Sequence, residues 1–145
     1  MSRRVLIDVL IAAVLAAASQ LFLYAAYLVL LALGVSMPYD SAPAEPGSHP
    51  EWLAQINAMF LLASGPVLLA ALALAWILDA NRVGSGMWRV LVWPVVVMLS
   101  MLAIALGNGT LALFGVVGVW VYVATFAVAP ALVGRWRRPP HAAPG

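Results

Sequence analysis

What most constrains this chain is that four of its stretches are nearly free of charge and each can cross a bilayer. They run from about Val5 to Val35, Trp52 to Leu78, Trp88 to Leu106 and Leu111 to Val133. A span needs about 20 mainly apolar residues, and a helix is the form in which such a segment satisfies its own backbone in lipid. Over 145 residues, 66% are hydrophobic, 8% are charged and the mean hydropathy is +1.06. A water-soluble domain of this size could not hide so much apolar surface. The expected fold is therefore an all-α membrane protein, a four-transmembrane-helix bundle of up-down topology. It forms one integral domain over 1–145, with no room for a separate soluble one.

Between the first two spans lies the only substantial loop, 36–51, with Pro38, Pro43, Pro46 and Pro50 among Asp40, Glu45 and Glu51. Prolines at that density oppose helix and strand alike, so an extended, solvated connector is expected. Asp79 to Met87 reads as a polar turn stopped by Gly84 and Gly86. Gly107-Asn108-Gly109-Thr110 reads as a tight reversal whose Asn-Gly pair suits positive φ. It also matches a glycosylation sequon, but the turn role suffices. The tail, 134–145, opens Gly134-Arg135-Trp136-Arg137-Arg138 and ends in Pro, Ala and Gly.

Four spans place both termini and the 79–87 turn on one side of the membrane. All seven basic residues are arginines, Arg3, Arg4, Arg82, Arg89, Arg135, Arg137 and Arg138, and every one falls on that side. The positive-inside rule makes it cytoplasmic. Trp52 then fits the outer aromatic belt, and Trp76, Trp88 and Trp136 the inner one. Arg3-Arg4 and Ala16-Ala17-Ala18 have the look of a secretory or twin-arginine signal, but the apolar run continues far beyond Ala18 and reads as a span. The absence of Lys, beside abundant Ala, Val and Leu, points to a high-GC bacterial source and thus to the inner membrane.

Several kinds of chemistry are excluded. With no cysteine there is no disulfide, thiolate metal site or Cys nucleophile. His49 and His141 lie outside the apolar runs, which removes a buried bis-histidine haem. No Ser-His-Asp set or nucleotide motif occurs, and Gly84-Ser85-Gly86 is too short for a phosphate loop. Asp40, Glu45, His49 and Glu51 are spaced too irregularly for a metal site and read as a solvated acidic loop. No enzyme, cofactor, metal or nucleic-acid partner is expected.

Helices in lipid pack through small and occasional polar residues. Three spans carry such stripes: Asp8, Ala12, Leu15, Ser19, Phe22, Ala26 in the first; Asn57, Leu61, Ser64, Leu68, Ala71, Ala75 in the second; Gly115, Gly118, Tyr122, Thr125, Ala129 in the fourth. The third offers only Ser100 and Ala103, and its Val- and Met-rich surface reads as lipid-facing. Asp8, the only carboxylate in an apolar run, is expected near the interface, paired with Arg4 at i,i+4. Ser64-Gly65-Pro66, with the only proline deep inside a span, should kink the second helix. Gln20, Gln55 and Asn57 are expected to bond to one another or to line an outward vestibule. Arg135, Arg137 and Arg138 suit anionic lipid headgroups, with Trp136 at the interface.

The function these features favour is non-enzymatic: helix–helix association, as an accessory subunit or scaffold of a membrane complex, with another membrane protein or a second copy as partner. The alternative is a small homo-oligomeric transporter or channel for an ion or amphiphile, with a path near Asp8, Asn57, Ser64 and Pro66. Lipid binding in a groove between helices is a third.

Overall fold

The structure, a computed structural model, describes residues 2–35 and 50–138, apart from the side chains of Pro50 and Glu51. Four long helices make up nearly all of it: α1 Arg3–Ala32, α2 Pro50–Ala80, α3 Gly86–Asn108 and α4 Val117–Trp136. All four are long and apolar enough to span a membrane. A 3₁₀ turn, Leu111–Gly115, stands before α4 where the sequence reading began the fourth span.

Helix ends follow local chemistry. The Ser2 hydroxyl accepts from the Val5 N–H at 3.4 Å and caps α1. Gly109 at φ +67° ends α3, and the Thr110 N–H returns to the Ala105 carbonyl at 2.9 Å, so the Asn-Gly-Thr reversal forms as expected. The α2 end differs from expectation. Its left-handed residue is Arg82 at φ +54°, not a glycine, and the Val83 N–H closes on the Leu78 carbonyl. Gly84, also left-handed at φ +70°, is thereby free for another use.

Around the bundle the order is α1, α2, α4, α3, with α2 and α4 the most intimately packed neighbours. Contacts between ends fix the directions. The start of α3 touches Asp8 near the start of α1, and Asn57 of α2 touches Gly118 at the start of α4. Both pairs are thus parallel, while successive helices alternate up and down.

The core is an inward stripe from every helix. On α1 it is Asp8, Ala12, Ala16, Ser19, Leu23, Ala26 and Leu30. Ala12, Ala71, Ala75 and Ala129 are wholly buried, and their small side chains let the backbones approach. Tyr122, Phe126, Trp93 and Val97 fill the middle. Phe60 and Phe126 both meet the Tyr122 ring edge-to-face, at 5.3 and 5.6 Å between centroids.

Several expectations fail here. The third span, with α1 the least buried of the four, still buries one face: Arg89, Trp93, Val97, Met101 and Ala105 form an unbroken i,i+4 stripe. Its interior contacts come from large side chains, which a search for small residues misses, and Ala103 is exposed. Leu61 faces outward, and Gly115 is exposed in the 3₁₀ turn outside α4. Nor is Pro66 alone, since Pro94 and Pro130 also lie inside helices. Pro66 and Gly65 are exposed on the outside of an α2 that runs continuously past them. The proline removes an N–H that would have bonded to the Leu62 carbonyl, but on the lipid-facing side, away from any internal path.

Candidate functional site

The arginine-bearing end is closed by a polar lock. Asp8, one turn and a half into α1, is wholly buried, and Arg89, one turn into α3, is 2% exposed. The Arg89 Nε donates to Asp8 Oδ1 at 2.9 Å, and the Ser85 backbone N–H donates to Oδ2 at 2.7 Å. Gly84 makes room: a Cβ there would stand 2.8 Å from the Asp8 carboxyl carbon and 2.9 Å from Oδ2. The carboxylate is therefore held by a guanidinium and a backbone amide at once, which offsets the cost of burying both charges. Arg4 is exposed and takes no part, so the expected pairing within α1 does not form. Opposite charges at matched depth on α1 and α3 were the available signal. It is hard to see in the sequence because 81 positions separate Arg89 from Asp8.

At the same end, Arg137 Nη1 lies 3.3 Å from Asp79 Oδ2, and its guanidinium stacks 4.6 Å above the Trp76 ring. Both ion-pair partners are about one-third exposed, so this contact contributes little. Arg135, Trp136 and Arg138 are exposed.

Midway, the polar residues of the stripes are absorbed by backbone carbonyls. Ser19 donates to Ala16, Ser64 to Phe60, and Thr125 to Tyr122, at 2.6 to 2.8 Å. The Tyr122 hydroxyl reaches across the bundle and donates to the Ser19 carbonyl at 3.1 Å. Asn57 joins neither Gln20 nor Gln55. Its Oδ1 accepts from the Gly118 N–H at 2.6 Å, filling a donor at the start of α4 that has no intrahelical partner. Among the described residues, Gln55 Oε1 and Trp93 Nε1 are buried without a hydrogen-bond partner.

Among the described residues, the opposite end is less closely packed. Because Asn57 meets the second residue of α4, the first seven residues of α2 rise about 10 Å beyond the start of α4. The 3₁₀ turn occupies part of that level, pinned by the Trp120 Nε1–H donating to the Phe114 carbonyl at 2.8 Å. What remains is a cleft of about 660 Å³ between α1 and α2, floored by the end of α3 and the turn. Tyr24, Tyr27, Trp52 and Phe60 line it, with Gln20 and Asn108 among its few polar groups. Gln20 thus lines a cleft at the end of the bundle away from the arginines. Among the described residues, no charged side chain lines the cleft. Walls that are mainly apolar and aromatic suit an apolar or amphiphilic body.

Asp40, Glu45, His49 and His141 lie outside the described residues, as does the side chain of Glu51. Among the described residues, no group of three or more His, Asp or Glu could hold a metal ion.

Fold and spans together define a multi-pass membrane protein built as an all-α four-helix bundle. The chain matches no protein-family model, no curated protein and no solved structure.

Proposed function

We propose that this protein works without catalysis, by taking an amphiphile from the surrounding lipid into the cleft between α1 and α2. The observation that carries this reading is the cleft itself, an aromatic-walled space of about 660 Å³ at one end of the bundle. The protein then sits in the bacterial inner membrane with its arginine-bearing end, and so both termini, in the cytoplasm. The cleft opens in the outer half of the bilayer. Photocrosslinking with an amphiphile carrying a diazirine on its chain tests this reading. Label should concentrate on peptides containing Trp52 and Tyr24. Label spread evenly over the lipid-facing leucines and valines would sink it.

Association with another membrane protein or a second copy is the second reading, as an accessory subunit or scaffold. Most small residues of the stripes are used inside the bundle, which takes away part of its support. It keeps one favouring observation: Ala13, Ala17 and Ala18 lie exposed together on the outward side of α1. Crosslinking from position 17 in native membranes, followed by mild-detergent purification, separates the two readings. A single discrete adduct favours association, and only lipid adducts count against it. A homo-oligomeric transporter would need the cleft as its loading site, because Asp8, Ser64 and Tyr122 are tied into internal bonds along the axis.

A further inference from the structure

We infer that the protein holds one anionic phospholipid in the leaflet at its arginine-bearing end, with an acyl chain in a groove between α1 and α2 and the phosphate against Arg3, Arg4 and Arg82. This site is separate from the cleft, and the inference does not depend on what the cleft takes.

Three observations carry it. First, toward the arginine-bearing end the faces of α1 and α2 part around a shallow groove of about 390 Å³. Among the described residues, aliphatic side chains alone wall it, with Leu10, Ile11, Val14 and Ala18 from α1 and Leu74 and Leu78 from α2. Ile11, Leu74 and Leu78 pack on the core, whereas Leu10 and Val14 are 58% and 70% exposed, so the groove opens sideways to lipid. From Leu10 to Ala18 the helix rises about 12 Å, most of the roughly 15 Å that one leaflet's hydrocarbon occupies. A chain lying there gains close contacts along its length.

Second, helical period places arginines in line with the groove. Arg4, Ile11 and Ala18 recur at seven-residue intervals, and Arg3 and Leu10 stand at the same interval. Seven residues make close to two full turns, so each set shares a face of α1. Arg4 lies about 9 Å from Leu10 along the axis, beyond the apolar layer and at headgroup level. Arg82 joins them from the end of α2. The Ser85 N–H donates to the Asp8 carboxylate and Gly84 stands against it, so Arg82, two residues before Gly84, is held at the foot of α1.

Third, these charges are free. Among the described residues, the carboxylates at this end are Asp8 and Asp79, and they are taken by Arg89 and Arg137. Arg3, Arg4 and Arg82 are exposed and have no ion pair among the described residues. Guanidiniums beside a purely apolar groove match a ligand with phosphate at one end and hydrocarbon at the other. An anionic headgroup answers them, whereas a zwitterionic one brings its own cation to the same place.

Other places in the molecule lead less far. The Asp8–Arg89 lock is sealed and self-satisfied. Trp93 Nε1, without a partner among the described residues, is wholly enclosed.

The test counts lipids on the purified full-length protein by native mass spectrometry from an uncharged detergent. Phosphatidylglycerol and phosphatidylcholine with identical acyl chains are the probes. One phosphatidylglycerol should bind at least about tenfold more tightly than phosphatidylcholine. Changing Arg3→Gln and Arg4→Gln together should weaken it by about tenfold, and Arg82→Gln by about fivefold. Val14→Trp fills the groove from an exposed position and should weaken it by about fivefold with no change of charge. Leu10→Trp provides a second filling should Val14→Trp fail to fold. Arg135→Gln with Arg138→Gln removes the same charge at the end of α4, across the bundle from α1, and should alter binding by less than about twofold. A melting temperature for each variant shows that the bundle is intact.

Equal affinity for the two lipids would overturn the inference. So would equal losses from the two double variants, which would make the attraction a general property of the arginine-bearing end. Undiminished binding after the groove is filled, or displacement of the lipid by soluble glycerol phosphate at matching concentration, would overturn the role of the acyl chain and with it the site. None of these outcomes bears on the cleft, whose occupancy is read from labelling at Trp52 and Tyr24.

Discussion

At the arginine-bearing end, α1 and α3 are drawn together by one carboxylate that accepts from a guanidinium and a backbone amide. At the other end, α1 and α2 stand apart around an aromatic cleft. Both ends contain polar groups at the edge of a low-dielectric layer, but they manage them differently. Asp8, Arg89 and Ser85 satisfy one another, so the lock itself gains nothing further from a ligand. Gln20 and Asn108 instead border the cleft, among the rings of Tyr24, Trp52 and Phe60. The difference teaches where to look for function in a small bundle. A buried charge attracts notice, yet here it is structural, and the cleft lies at the other end.

The largest expected effect would break the locked end. Asp8→Ala leaves the Arg89 guanidinium buried beside apolar neighbours and should destabilise the bundle by about 3–5 kcal/mol. The double change Asp8→Leu with Arg89→Leu removes the orphaned charge as well and should recover at least half of that loss. Reversible unfolding in mixed micelles measures both. A double variant no better than the single one would show that the pair does not act as a unit.

That lock also shows what was legible beforehand. Four spans, their alternation and the arginine asymmetry follow from hydropathy and charge along the chain, because lipid forces every span to be an apolar helix. Partners across helices do not follow. Asp8 had a nearer arginine at i,i+4, and only the three-dimensional order α1, α2, α4, α3 reveals that Arg89 stands closer. The cleft was invisible for a related reason. It arises from a length mismatch between α2 and α4, and a 3₁₀ turn over Leu111–Gly115 reads in sequence as four more apolar residues and a glycine of the fourth span. Gly118 was legible as a small residue in a packing stripe, but its partner was not.

Gly118 sharpens the contrast because it marks the level where the closed bundle gives way to the cleft. An added Cβ would stand 2.6 Å from the Asn57 carbonyl oxygen, 2.8 Å from Asn57 Oδ1 and 3.2 Å from Phe60 Cβ. The first of these is backbone and cannot swing aside. Gly118→Ala should therefore push α4 from α2 and cost about 1–3 kcal/mol. Because Phe60 lines the cleft, amphiphile binding should weaken as well, whereas Asp8→Asn, if it folds, should leave binding within about twofold. Parallel unfolding and binding measurements on the two variants decide whether the ends are independent. Equal loss of binding in both would mean that they are coupled.

A smaller effect belongs to the middle of the molecule. Tyr122→Phe removes the bond to the Ser19 carbonyl but keeps the ring edge-to-face with Phe60 and Phe126. Hydrogen bonds between helices in membranes average about 0.6 kcal/mol. A loss of about 0.5–1 kcal/mol in the same unfolding assay is expected, with little change at either end. A loss above about 2 kcal/mol would make Tyr122 a bridge between the lock and the cleft.

The smallest effect is expected where the sequence drew most attention. Pro66 interrupts the backbone bonding of α2, and a proline near mid-membrane suggests a hinge on which the two ends could move relative to each other. Its side chain, however, points outward, its neighbour Gly65 faces open space, and the inward residues of the same turns, Ala63, Ser64 and Val67, are buried in the packed core. Pro66→Ala supplies an N–H that can meet the Leu62 carbonyl without displacing any inward contact. Stability should stay the same or rise by at most about 1 kcal/mol, and cleft binding should be unchanged. A hinge would behave otherwise: restoring the backbone bond would stiffen α2 and alter the uptake or release of the amphiphile while the fold remained intact. Stopped-flow release of a fluorescent amphiphile from wild type and Pro66→Ala distinguishes the two. A rate changed by more than about threefold would transfer the moving part from the cleft's rim to the centre of α2.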